Sequence, residues 1–128
     1  MKNNKEQAFC TKLGAWLKKT KHPQSMLIEC KVVVNRGSFN PETIRKSQIA
    51  TLNRLDFGVP LVHKISDGAV GSKLVDIIYI SGNNDGLRPF VAVSFGKTGH
   101  AYLIPWAYVS ANIEGYLYEP QLQSFKIW

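Results

Sequence analysis

A carboxylate and an ammonium two residues apart interrupt the apolar run Met26-Leu27-Ile28-Glu29-Cys30-Lys31-Val32-Val33-Val34. A run this rich in branched apolar residues predicts a buried strand over 26–34, with alternate side chains on opposite faces. Glu29 and Lys31 then share one face, and Ile28, Cys30 and Val32 share the other. Charges enter such a strand when they are paired, bind metal or do chemistry. The fold must therefore bring these two charges a partner.

The 128 residues suit one domain with a core of its own, and 45% hydrophobic and 20% charged residues are ordinary globular values. The charge is less ordinary: 16 Lys and Arg against 9 Asp and Glu give a net +7. Residues 1–54 carry net +8 and residues 55–128 net −1. A basic half of this kind points to a polyanion, most often nucleic acid. Two cysteines make no disulfide framework, so Cys10 and Cys30 read as small core residues of a reducing compartment. With no apolar leader at 1–5 and no stretch near the ~18 apolar residues of a membrane helix, the expectation is a soluble, cytoplasmic protein.

Phe9, Leu13, Trp16 and Leu17 form the apolar stripe of a helix over 4–20, with Lys18, Lys19 and Lys21 at its C-terminal end. A second helix is predicted over 41–55, capped by Asn40, with Pro41 first and Ile44, Ile49, Leu52 and Leu55 inward. Further strands are expected at 61–65, 74–80, 90–95 and 101–105. The tail, with Trp106, Tyr108, Tyr116, Tyr118 and Trp128, has too little pattern to assign. Helix, strand, helix, then several strands predicts one α/β (α+β) domain around a mixed sheet.

Further polar residues break the faces they sit on. Glu6 lies on the stripe of the first helix, although a first-turn Glu also suits the helix dipole. Gln48 occupies the apolar side of the second helix, where a structural hydrogen bond is the ordinary explanation. Asp76 falls on the same strand face as Leu74, Ile78 and Ile80, a place where Asp is disfavoured. Asp67-Gly68 reads as a turn, with Lys64 and Lys73 flanking it. His22, His63 and His100 lack metal-ligand spacing, and there is neither a phosphate-binding glycine loop nor a zinc pattern.

Two carboxylates from neighbouring strands make a hard oxygen site suited to Mg²⁺ or Mn²⁺. Such an ion lowers the pKa of a bound water and neutralises charge on a phosphodiester. Lys31 could position that water or stabilise the charge that develops, with Glu6 and Gln48 in support. Metal-assisted phosphodiester hydrolysis on a basic protein is the chemistry these residues fit.

Glu29-x-Lys31 after a Glu-bearing helix and before a Gln-bearing one resembles the PD-(D/E)xK nuclease superfamily. Within it, Glu29-Cys30-Lys31-Val32, Ser38-Phe39-Asn40-Pro41 and Ser47-Gln48-Ile49 are similar to RecU-like Holliday-junction resolvases, which pair a Glu-Ala-Lys strand with a Phe-Pro-Leu turn and a His-Gln-Ile helix. The segment from Lys64-Ile65-Ser66-Asp67 to Lys73-Leu74-Val75-Asp76 is similar to small phage and mobile-element members of that group. The resemblance implies a restriction-endonuclease-like mixed sheet flanked by helices, and homodimers acting on branched DNA. The superfamily's metal-binding Asp normally precedes Glu-x-Lys, but no Asp or Glu lies between Glu6 and Glu29. Asp76 is the natural substitute, permuted in sequence. Ser47 also stands where those relatives carry His.

The resemblance thus implies a Mg²⁺-dependent endonuclease. Glu29 and Asp76 ligate metal, Cys30 contributes its carbonyl, Lys31 assists the attacking water, and Glu6 and Gln48 support. Lys12, Lys18, Lys19, Lys21, Arg36, Arg45 and Lys46 are candidates for phosphate contacts, which give salt-dependent binding with little sequence preference. Two rivals stand beside it: a nuclease for DNA ends, flaps or duplex sites, and a degenerate DNA-binding protein on the same fold.

Overall fold

The computed structural model describes residues 4–57, 76–82 and 86–128. The strand expected at 61–65 and the residues His63, Lys64, Asp67 and Lys73 lie outside the described residues. Helix α1 (Asn4–Thr20) buries Phe9, Leu13 and Leu17, as the stripe required. It ends with Lys21 in the left-handed region, at φ 51°. The Lys21 amide donates to Lys18 O and the His22 amide to Leu17 O, at 3.2 and 3.1 Å. This paired closure is the Schellman arrangement, in which glycine normally takes the left-handed position.

Strand β1 (Met26–Val33) is central in a four-stranded sheet of order β3-β1-β4-β5. It pairs antiparallel with β3 (Ile77–Tyr79) and parallel with β4 (Arg88–Phe95), which pairs antiparallel with β5 (His100–Pro105). The sheet is therefore mixed, in an α+β arrangement. Gly99, at φ 77°, closes the β4–β5 hairpin in a conformation that disfavours any side chain.

Each face of the sheet has its own core. Met26, Ile28, Cys30, Ala92, Ala101 and Leu103 pack beneath Phe9, Leu13 and Leu17 of α1. On the other face, Leu27, Val91, Val93, Phe95, Tyr102 and Ile104 pack with Ile44, Leu52, Trp106, Val109, Leu117 and Leu122. These last residues come from α2 (Lys46–Asp56), α3 (Trp106–Ala111), β6 (Leu117–Tyr118) and the turns around them. Trp106 Nε1 donates to Asn53 Oδ1 at 2.7 Å, joining α3 to α2.

The second helix is not continuous over 41–55. Asn40 does cap a turn, its Oδ1 accepting from the Glu42 amide at 3.0 Å, but the turn is a 3-10 helix over Pro41–Thr43. Ile44 and Arg45 are extended, at ψ 131° and 144°, before α2 begins at Lys46. The break gives Ile44 its inward aim and separates the two start signals. A short strand β2 (Ser38–Phe39) pairs with β6 beside this turn.

The aromatic tail is structural where it meets α1. Trp128 lies edge-on to Phe9 and Trp16, with ring centroids 6.1 and 6.0 Å away. Its carbonyl accepts from the Ala101 amide and the Ile127 amide donates to Ala101 O, so the tail runs along β5 and covers that sheet edge. Among the described residues, no helix is long and apolar enough to cross a membrane.

Candidate functional site

Alternation along β1 sends Glu29 and Lys31 to the face of Leu27 and Val33, and Cys30 to the face of α1. Glu29 is only 2% exposed, yet it keeps a cation close: Lys31 Nζ stands 3.7 Å from its Oε1. The ammonium also donates to Thr43 O at 3.3 Å. The 3-10 turn capped by Asn40 thus holds Lys31 at the end of β1. Charge compensation explains how a carboxylate tolerates this depth.

Beyond Lys31 a cleft of about 570 Å³ opens at the C-terminal end of β1. Glu6, Lys31, Asn35, Arg36, Asn40 and Tyr116 are among the residues that line it. The first turn of α1 reaches this end because α1 runs back along β1. Two expected site residues, Glu6 and Lys31, thus face one space, joined by the guanidinium side chain of Arg36. The carboxyl ends of parallel strands are where open α/β sheets place ligands, and β1 runs parallel to β4 here.

Asp76 corrects the expectation drawn from strand alternation. The ladder pairs Ile28 with Ile77, yet the Asp76 amide donates to Ile28 O at 3.1 Å. Two residues therefore oppose one, the signature of a β-bulge, and a bulge re-aims the side chain beside it. The Asp76 carboxylate accepts from the Cys30 amide at 2.7 Å. It lies with the sulfurs of Cys10 and Cys30, all three ligand atoms within 4.8 Å of one another. Ile78 and Ile80, its expected companions, are exposed.

Among the described residues, Cys10, Cys30 and Asp76 are the group of three donors close enough to hold a metal ion, and Glu29 stands outside it. Thiolates suit Zn²⁺ and similar soft cations; Mg²⁺ needs oxygen donors. Cys10 was not expected at a site. Cys10 in a helical pattern and Cys30 on the strand face opposite Glu29 both read as core residues, and only packing shows that they meet.

Gln48 has a structural task. Its Oε1 accepts from the Arg45 backbone amide at 3.2 Å and its backbone N–H donates to Arg45 O at 3.0 Å, closing the first turn of α2. Arg45 and Lys46 are exposed at that helix start, and Lys18, Lys19 and Lys21 are exposed around the end of α1. Lys12 is exposed but engaged, its Nζ lying 4.8 Å from the Trp128 ring centroid.

Comparison with protein-family models, with curated proteins and with solved structures finds no match for this chain.

Proposed function

We propose that the chain is a Mg²⁺- or Mn²⁺-dependent endonuclease with a restriction-endonuclease-like fold, acting on branched DNA, with Holliday junctions as the preferred substrate. The observation that carries this proposal is the buried Glu29 with Lys31 Nζ 3.7 Å away, beside a cleft that Glu6 also lines. A carboxylate kept 2% exposed next to an ammonium is costly as architecture and useful as chemistry.

The carboxylates of Glu29, Asp76 and Glu6, with the Cys30 carbonyl, are the oxygen donors proposed for the metal. Metal binding would require Asp76 to turn from the Cys30 amide on the α1 side toward Glu29. Hard oxygen donors of this kind suit Mg²⁺. When bound, Mg²⁺ supplies Lewis acidity and an acidified water. Lys31 then stabilises negative charge in the cleft, held in place by Thr43 O. Arg36 on the cleft wall, with Arg45 and Lys46, binds phosphates near the scissile bond. Lys18, Lys19 and Lys21, at the far end of α1 about 20 Å from Glu6, bind more distant phosphates. Gln48 supports by fixing the start of α2, which follows the Lys31-anchored turn. A homodimer in the cytoplasm would set two such clefts against the two strands of a junction. β3, the edge strand among the described residues, with exposed Ile78 in it and Ile80 just beyond it, is the proposed contact between copies.

The test is cleavage of a four-way junction, a flap, a duplex and a single strand with Mg²⁺ or Mn²⁺, by wild type and Lys31→Ala. Junction-selective cutting by wild type alone supports the proposal, and preferred cutting of ends, flaps or duplex supports the rival substrate. A second reading has one observation in its favour: Asp76 is held by the Cys30 amide and grouped with sulfur rather than with Glu29. On that reading the chain binds junctions without cutting them.

A further inference from the structure

We infer that Cys10, Cys30 and Asp76 form a site for a thiophilic divalent cation of the Zn²⁺ type, distinct in chemistry from the Mg²⁺ proposed above. Their ligand atoms lie within 4.8 Å of one another, close enough to converge on one ion by small rotamer shifts. The three come from different elements: Cys10 from α1, Cys30 from the centre of β1, and Asp76 from the bulge that enters β3. A bound ion would therefore fasten α1 and the sheet edge to the central strand.

Several features suit the role. Two sulfurs and one carboxylate oxygen are a donor set that selects Zn²⁺, Co²⁺ or Cd²⁺ over Mg²⁺ and Ca²⁺. Cys30 is fully buried, while Cys10 and Asp76 are half-buried. One Asp76 oxygen is already oriented by the Cys30 amide at 2.7 Å. That is the outer hydrogen bond by which ligating carboxylates are usually fixed. Binding would release the two thiol protons to solvent as the sulfurs become thiolates. Water completes the tetrahedron, as in zinc sites with three protein ligands.

The inference stands whether or not the chain cuts DNA. One consequence rests on the nuclease proposal: an ion here would keep Asp76 on the α1 face, and Zn²⁺ would inhibit cleavage.

The direct test is titration of the full, reduced chain with Co²⁺. The expected result is one equivalent bound, with a sulfur-to-cobalt charge-transfer band that Zn²⁺ bleaches. Cys10→Ser should lose about half of the band, the Cys30 sulfur remaining, and at least tenfold in affinity, whereas Asp76→Asn should lose affinity and keep the band. Cys10 is half-buried, so Cys10→Ser is the variant chosen to keep the fold, checked by unchanged circular dichroism without metal. At the same Zn²⁺ concentration the Tm of wild type should rise by more than that of Cys10→Ser. Absence of the band in folded wild type, or an equal band in Cys10→Ser, would overturn the site. Cleavage that fails without affecting the band would count against the nuclease proposal only.

Discussion

The Asp76 carboxylate accepts a hydrogen bond from the Cys30 amide at 2.7 Å, binding the sheet edge to the middle residue of Glu29-Cys30-Lys31. Hydrogen bonds to a charged group contribute about 1.5–3 kcal/mol. Asp76→Ala should lower the denaturant-unfolding free energy by about that much, and Asp76→Asn by less. An unchanged midpoint in Asp76→Ala would mean that the bond contributes nothing in solution.

Glu29 sets function against stability. Removing Lys31 leaves its carboxylate buried without the ammonium at 3.7 Å, and breaking a buried pair costs up to about 3–5 kcal/mol. Lys31 retains some solvent contact, so Lys31→Ala should lose about 2 kcal/mol, toward the small end. Glu29→Gln should leave stability unchanged or raise it while abolishing cleavage, the usual sign of a site kept for chemistry. Urea melts of both variants without metal check this.

Lys21 occupies the left-handed position that ends α1, at φ 51°. A side chain there costs about 1–2 kcal/mol relative to glycine, offset in part by glycine's greater freedom when unfolded. Lys21→Gly should stabilise the fold by about 0.5–1 kcal/mol. If Lys21 also meets phosphate, the same change should reduce the salt dependence of DNA binding, by about 0.9 in log–log slope. Calorimetry and a salt titration read the two effects separately.

Much of this fold was legible in the chain. Phe9, Leu13 and Leu17 at helical spacing, and the alternation from Ile28 to Val33, depend only on local periodicity, and α1 and β1 follow it. The break at Ile44-Arg45 was hidden because Asn40-Pro41-Glu42 starts a 3-10 turn and an α-helix equally well. Asp76 misled for another reason: alternation assumes an unbroken ladder, and the bulge opposite Ile28 depends on the partner strand. Glu6 and Lys31 were singled out separately, but their shared cleft arises from the direction in which α1 packs on β1. Cys10 was passed over because a cysteine in a helical pattern looks like core until its neighbour is known.

A buried network away from the cleft gives a pH test. Tyr102 donates its hydroxyl to Glu119 Oε2 at 2.7 Å, which also accepts from Thr98 Oγ1 at 2.6 Å. Burial, then the hydrogen bond to the Glu119 carboxylate, pushes the Tyr102 hydroxyl from 10.0 up to about 12. The folded value exceeds the unfolded one, so the stabilisation is whole below pH 10.0 and is lost as pH rises towards about 12. Tyr102→Phe should be less stable than wild type at neutral pH, with the gap closing across that window. Urea midpoints at neutral pH and at about pH 11 measure it.

Cleavage of a four-way DNA junction by wild type, Lys31→Ala and Glu29→Gln, side by side with Mg²⁺, tests the catalytic role of Glu29 and Lys31 most directly. Wild type should cut, and both variants should bind the junction with similar affinity and cut at least 100-fold more slowly. Junction binding by all three without cutting by any, in Mg²⁺ or Mn²⁺, would contradict the proposed catalysis, as would Lys31→Ala cutting at the wild-type rate.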